Sequence, residues 1–193
     1  MTVNPKPAPP PAAKPQVWFP DTSVLITLAV HQPLQEAIVD ALAAKRRVLL
    51  VAVVAELEGL TRQSQPSASW AKTALEQLGW LGKPVVMDSP TGVALASEIQ
   101  QDLAAGRSLR HLLEHWGESA IISLASRAIH VRPFMLSDDY DARIAAHTKG
   151  VEAVSVHKLL HLLIIRSRIT VEAAASFSEA GAFSLLRTNG PGW

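Results

Sequence analysis

The chain predicts an α/β fold: a three-layer α/β/α sandwich around a central, mainly parallel five-stranded sheet. Two observations predict it. Short apolar runs alternate with longer stretches of helical periodicity, which is the pattern of βαβ units. Acidic and turn-forming residues follow several of those runs, where a strand would hand over to a helix. With 193 residues, 48% of them hydrophobic, the chain can bury one full α/β core, and a second domain of that size is not expected.

The elements follow in order. Residues 1–15, rich in proline from Pro5 to Pro15, have almost nothing to bury and read as a disordered or polyproline leader. Strands are predicted over 16–19, 48–52, 84–87, 133–136 and 152–155. Helical spacing covers 23–30, 34–45, 54–63, 69–78, 91–104, 118–128 and 140–147. The folded unit is expected over 16–156. A helical extension packed on it follows over 157–187, with Thr170 as the N-cap of its second helix. Residues 188–193 form a turn-rich tail whose Trp193 can pack back on the domain or on a second subunit. The chain carries no internal repeat.

Composition narrows the chemistry. Without cysteine there are no disulfides, thiolate metal sites or cysteine nucleophiles, so hard oxygen ligands are the expected metal chemistry. No apolar stretch reaches the roughly 18 to 20 residues of a membrane span, and the start lacks a secretory pattern, so a soluble cytoplasmic protein with no membrane partner is expected. Net charge is only +1, so attraction to nucleic acid needs a local patch. The basic groupings at Lys45–Arg47, Arg107–His111 and Arg166–Arg168 read first as solvated helix ends. The phosphate loop and the dinucleotide-binding glycine run are absent. Asp21-Thr22-Ser23 lacks the paired acid of a haloacid-dehalogenase-type phosphatase, and a receiver's acid pair and lysine are also missing.

Four acids remain as the candidate site. Asp21 ends the first apolar run, Glu56 follows the run Val48–Val54, Glu118 opens a helical stretch, and the doublet Asp138-Asp139 follows Phe134–Ser137. At the carboxyl rim of a parallel sheet they would converge and hold divalent cations, Mg²⁺ or Mn²⁺. Each acid alone is equally well explained by helix capping or by the helix dipole. Thr22, Ser23 and Ser137 are candidates for hydrogen bonds to the acids or to a phosphate oxygen, and capping explains them equally. Arg62, Arg127 and Arg143 are candidate RNA contacts, with Arg110 and His147 beside them. A rival pattern, His111-Leu112-Leu113-Glu114-His115, matches the His-x-x-Glu-His of inverted zinc peptidases, but it falls in a connecting region.

The segments Asp21-Thr22-Ser23-Val24-Leu25, Val53-Val54-Ala55-Glu56-Leu57, Gly117-Glu118-Ser119-Ala120 and Leu136-Ser137-Asp138-Asp139 together resemble the ordered acidic motifs of PIN-domain ribonucleases. The resemblance spans residues 17 to about 156. It implies a metal-dependent endoribonuclease with Asp21, Glu56, Glu118 and Asp139 as catalytic metal ligands; Asp139 is favoured over Asp138 by the family pattern, though both remain candidates. It further implies an RNA substrate, an antitoxin protein as partner where the chain is a toxin, and homodimerisation. The leader and the C-terminal extension depart from a minimal toxin. A non-catalytic PIN-like scaffold that binds RNA or protein is the alternative.

Overall fold

The computed structural model describes residues 13–63, 67–105, 108–109, 112–166 and 168–179. Residues 1–12 of the leader, His111 and Arg110, the end of the C-terminal extension and the tail with Trp193 lie outside the described residues.

Side-chain alternation in the strands divides the core in two. In β1 (Gln16–Pro20), Val17 and Phe19 join one buried cluster and Trp18 the other. In β3 (Arg132–Leu136), Met135 joins the first while Phe134 and Leu136 join the second. Ala153 and Val154 of β4 (Glu152–Val154) split the same way. Successive strand residues face opposite sides, so each strand buries both faces, as a sheet covered on both sides requires. Trp18 and Phe134 stack with ring centroids 4.7 Å apart.

The first face is covered by α3 (Val51–Thr61), α4 (Ser67–Glu76), α5 (Pro90–Leu103), α6 (Trp116–Ser126) and α7 (Tyr140–Thr148). The second is covered by α2 (Gln32–Leu42), α8 (Val156–Ile165) and α9 (Val171–Glu179). α1 (Thr22–Val30) reaches both clusters, through Leu25 and Ile26 on one side and Val24 and Leu28 on the other. The C-terminal helices are therefore part of the second layer. Thr170 Oγ1 accepts from Ala173 N at 3.1 Å and caps α9 as expected. No described helix is long and apolar enough to cross a membrane.

The sheet has four strands in the order β2-β1-β3-β4, with β2 at Arg46–Arg47, and every pairing is parallel. The five-stranded expectation is corrected here. The segment 48–52 does not continue as a strand, because α3 begins at Val51, three residues before the expected helix start. The segment 84–87 makes only an isolated parallel bridge between Val85 and Leu50. Val51 N donates to Val85 O at 3.0 Å and Val85 N to Leu49 O at 2.8 Å. Pro84 has no N–H to extend the ladder, and Val85 and Val86 are 42% and 63% exposed, so little burial holds the segment as a strand.

This order places a reversal at β1. The chain leaves β1 to build β2 on one side and returns to build β3 on the other. The crevice beyond the carboxyl ends of β1 and β3 is the topological switch point where ligands of open α/β sheets bind. Asp21 follows β1 there, and Ser137, Asp138 and Asp139 follow β3.

Candidate carboxylate site

Asp21 is completely buried and caps α1: its Oδ1 accepts from Val24 N at 2.9 Å and from Ser23 Oγ at 2.8 Å. Its own N–H donates to Leu136 O at 3.0 Å, which ties the end of β1 to the end of β3. Capping explains Oδ1 alone. Oδ2 is buried with no donor in hydrogen-bonding geometry, although the Ser137 hydroxyl lies close enough to act on the carboxyl. Burial is the main reason the carboxyl is pushed up to about 7. The Ser137 hydroxyl, the Val24 amide and the Ser23 hydroxyl pull it back, and the charge of Asp138 raises it further.

Ser23 also links two acids, since its Oγ accepts from Asp138 N at 3.3 Å. Asp138 Oδ1 accepts from Val156 N at 2.9 Å, at the start of α8, while its Oδ2 is buried without a partner. Burial raises the Asp138 carboxyl; the Val156 amide and the nearby charges of Arg143 and His157 oppose that rise. Asp139 takes the capping role beside it, accepting from Ala142 N at 2.8 Å, and its own N–H donates to Ser137 Oγ at 3.2 Å. Within the doublet, Asp139 caps α7 and Asp138 keeps one sealed oxygen free.

Glu56 is held differently. Gly117 N donates to its Oε1 at 2.7 Å and Thr22 Oγ1 donates to its Oε2. Both oxygens are therefore occupied, one by each of the segments that carry Asp21 and Glu118. A Cβ at position 117 would lie 2.9 Å from Glu56 Cδ, so only glycine permits this approach. Burial pushes Glu56 up to about 7, against the Gly117, Thr22 and Trp116 donors. Glu58, two residues on, is exposed.

Glu118 sits in the first turn of α6, which His115 enters in the left-handed conformation at φ 57°. Its Oε2 is sealed from solvent and unpartnered. Burial and then the charges of Glu56, Asp21 and Asp139 push its carboxyl well above the usual carboxylate range. Among the described residues no group of three or more His, Cys, Asp or Glu side chains is spaced to hold a metal ion as it stands. The donor set nevertheless suits a hard divalent cation: Asp21, Glu118 and Asp138, carried by three separate segments, each offer a buried unpartnered carboxylate oxygen.

The three arginines part company. Arg143 Nη1 donates to Ser137 O at 3.0 Å, and its charge acts on Asp138, so it stands at the rim of the acids. Arg127 lies at the other end of α6, about 13 Å along the helix from Glu118. Its guanidinium is used there, donating to Ser123 O at 2.9 Å and Ser89 Oγ at 3.1 Å, beside a hollow of about 260 Å³ lined in part by Val86, Met87 and Leu124. Arg62 caps the solvent end of α3, about 9 Å along that helix from Glu56. The peptidase-like pattern lacks its helix where it is described, since residues 112–115 are turns.

Two participants escaped the sequence reading as site residues. Gly117 was visible only as part of a motif, and His157, at the start of α8, comes close enough for its charge to act on Asp138. The glycine before Glu118 was the one available signal, whereas nothing local ties His157 to Asp138. Comparisons with protein-family models, curated proteins and solved structures found no match.

Proposed function

We propose that this chain is a metal-dependent endoribonuclease of the PIN-domain type. The reading rests on one observation above all: Asp21 and Asp138, which follow β1 and β3 at the switch point, and Glu118, whose carboxyl feels the charge of Asp21, each keep a buried carboxylate oxygen without a partner. Capping accounts for one oxygen of Asp21 and one of Asp139 and leaves these three unexplained. Desolvated anions grouped together are unfavourable unless a proton or cation joins them. Asp21, Glu118 and Asp138, with Asp139 at their edge, would hold Mg²⁺ or Mn²⁺. A cation bound there supplies Lewis-acid polarisation of a phosphodiester and an acidified water.

The chain's own groups do the rest. Ser23 holds Asp21 and Asp138 in one register, and the Thr22–Glu56–Gly117 bridge fixes the start of α1 against the start of α6. Arg143 offers a cation at the rim where a phosphate would enter. Proton balance favours activity above neutral pH, because metal binding needs the carboxyls ionised and burial keeps Asp21 near 7. On this reading the substrate is RNA, the products carry 5′-phosphate and 3′-hydroxyl ends, and an antitoxin and a second copy of the chain are the partners to look for.

The test is cleavage of a mixed structured and single-stranded RNA with Mg²⁺, Mn²⁺ or chelator, by the parent and by Asp21→Asn and Asp139→Asn. Metal-dependent cutting by the parent that Asp21→Asn abolishes is the expected result. No cutting with any metal, together with undiminished RNA binding by the variants, would replace the nuclease with a binding scaffold.

A further inference from the structure

We propose that the outer face of α7 is a stacking platform for single-stranded RNA, with Tyr140 as the residue that contacts the base. The proposal rests on the nuclease reading and adds a base-contacting subsite beside the acids. α7 begins at the acids: Asp139 caps it and Tyr140 is its first residue. At about 100° per residue, Arg143, His147, Tyr140 and Ile144 fall on a single strip about 100° wide. Ala142 and Ala146 fall on the opposite side and are fully buried in the core. Asp141 lies about 100° round from Tyr140, off the strip.

Tyr140 is 67% exposed and Ile144 45% exposed, and His147 is also exposed. Tyr140 is the single tyrosine of the chain. The Arg143 guanidinium carbon lies 5.7 Å from the centre of its ring, while Nη1 of the same side chain holds Ser137 O. One arginine therefore connects an open aromatic face to the loop that carries Asp138 and Asp139. A phosphate seated at the acids would meet this positive charge, and the adjoining nucleotide would meet the ring.

That arrangement selects an unpaired base. In a duplex the faces of the bases are hidden in the stack, whereas a single strand can lay a base on an exposed ring and an arginine plane. Stacking of this kind tolerates any base, so the platform selects strandedness more than sequence.

The experiment measures binding of a fluorescein-labelled uridine oligomer, an abasic oligomer of equal length and a hairpin duplex, using the full chain carrying Asp21→Asn to prevent turnover. Tyr140→Ala in that background should weaken uridine-oligomer binding about tenfold and leave abasic-oligomer binding unchanged. Tyr140→Trp should bind the uridine oligomer at least as well as the Asp21→Asn protein. Unchanged uridine-oligomer affinity in Tyr140→Ala, or equal weakening on the abasic oligomer, overturns the platform. If the unsubstituted protein cuts RNA and Tyr140→Ala fails to discriminate, the platform alone falls. If the unsubstituted protein cuts no RNA with any metal, the nuclease reading falls and the platform with it.

Discussion

The site contains two kinds of buried carboxylate. Glu56 has a donor on each oxygen, supplied by Thr22 on one side and Gly117 on the other. Asp21, Glu118 and Asp138, a short way off, each keep one sealed oxygen without a partner. Burial raises all four carboxyls, so the direction of the shift does not separate them, although Glu118 and Asp138 are only half-buried as residues. Hydrogen-bond satisfaction does. A satisfied buried anion organises the backbone around it, while an unsatisfied one is a standing demand for a proton or a cation. The closed corner is a brace between α1, α3 and α6, and the open corner is where chemistry is expected.

The largest effect that sharpens this contrast comes from Asp21→Asn. Asparagine keeps an oxygen to cap α1 but removes the open anion, so cleavage in Mg²⁺ should fall by more than about 100-fold. Melting temperature at pH 8 should rise, because a desolvated charge has been removed. Steady-state cleavage together with thermal unfolding checks both parts; a fall in both would mean that Asp21 mainly supports the fold.

Next comes the closed corner. Glu56→Ala leaves Gly117 N–H buried without an acceptor and should destabilise the protein by about 1–3 kcal/mol in chemical denaturation. Glu56→Gln can still accept from Gly117 and pair with the Thr22 hydroxyl, so it should lose less than about 1 kcal/mol. Gly117→Ala should cost a similar 1–3 kcal/mol by forcing Glu56 away.

A third effect is pH. Asp21 and Glu56 ionise near 7 in the fold, against ordinary values of 3.8 and 4.5. Between those limits the folded chain holds more protons than the unfolded chain. Their contribution to stability is therefore complete below about pH 4 and is lost as pH rises through 7. Melting curves in chelator from pH 5 to 8 should show this decline, and Mn²⁺ should restore more at pH 8 than at pH 5. Asp21→Asn should flatten the decline.

The smallest contrast is between arginines. Arg143→Ala should weaken RNA binding severalfold and reduce its salt dependence, while Arg127→Ala should leave RNA affinity alone and lower stability through the lost Ser89 and Ser123 contacts. Filter binding at two salt concentrations separates them.

Much of this was legible in the sequence, for reasons that can be stated. Asp21 and Asp138-Asp139 each follow an apolar run and precede a helical one, and a parallel sheet sends such positions to one rim. The apolar runs Val17-Trp18-Phe19 and Phe134-Met135-Leu136 are continuous, as strands of a sheet covered on both faces are. What was not legible depends on contacts distant in sequence. Nothing near Glu56 reveals that its carboxylate meets Gly117, 61 residues away. The run Val48–Val54 is apolar throughout, so periodicity could not show that the strand gives way to α3 at Val51. Pro84 has no N–H, and the segment 84–87 settles for a bridge at Val85. Arg127 looked as available as Arg143 because a sequence does not say which end of α6 faces the acids.

The most direct measurement is Mn²⁺ binding by isothermal titration at pH 8 to the parent, Asp21→Asn and Glu56→Gln. Binding by the parent, at least about tenfold weaker in Asp21→Asn and nearly unchanged in Glu56→Gln, is the predicted result. A parent that binds no Mn²⁺, or a Glu56→Gln protein that loses as much affinity as Asp21→Asn, would contradict the division between the open corner and the closed one.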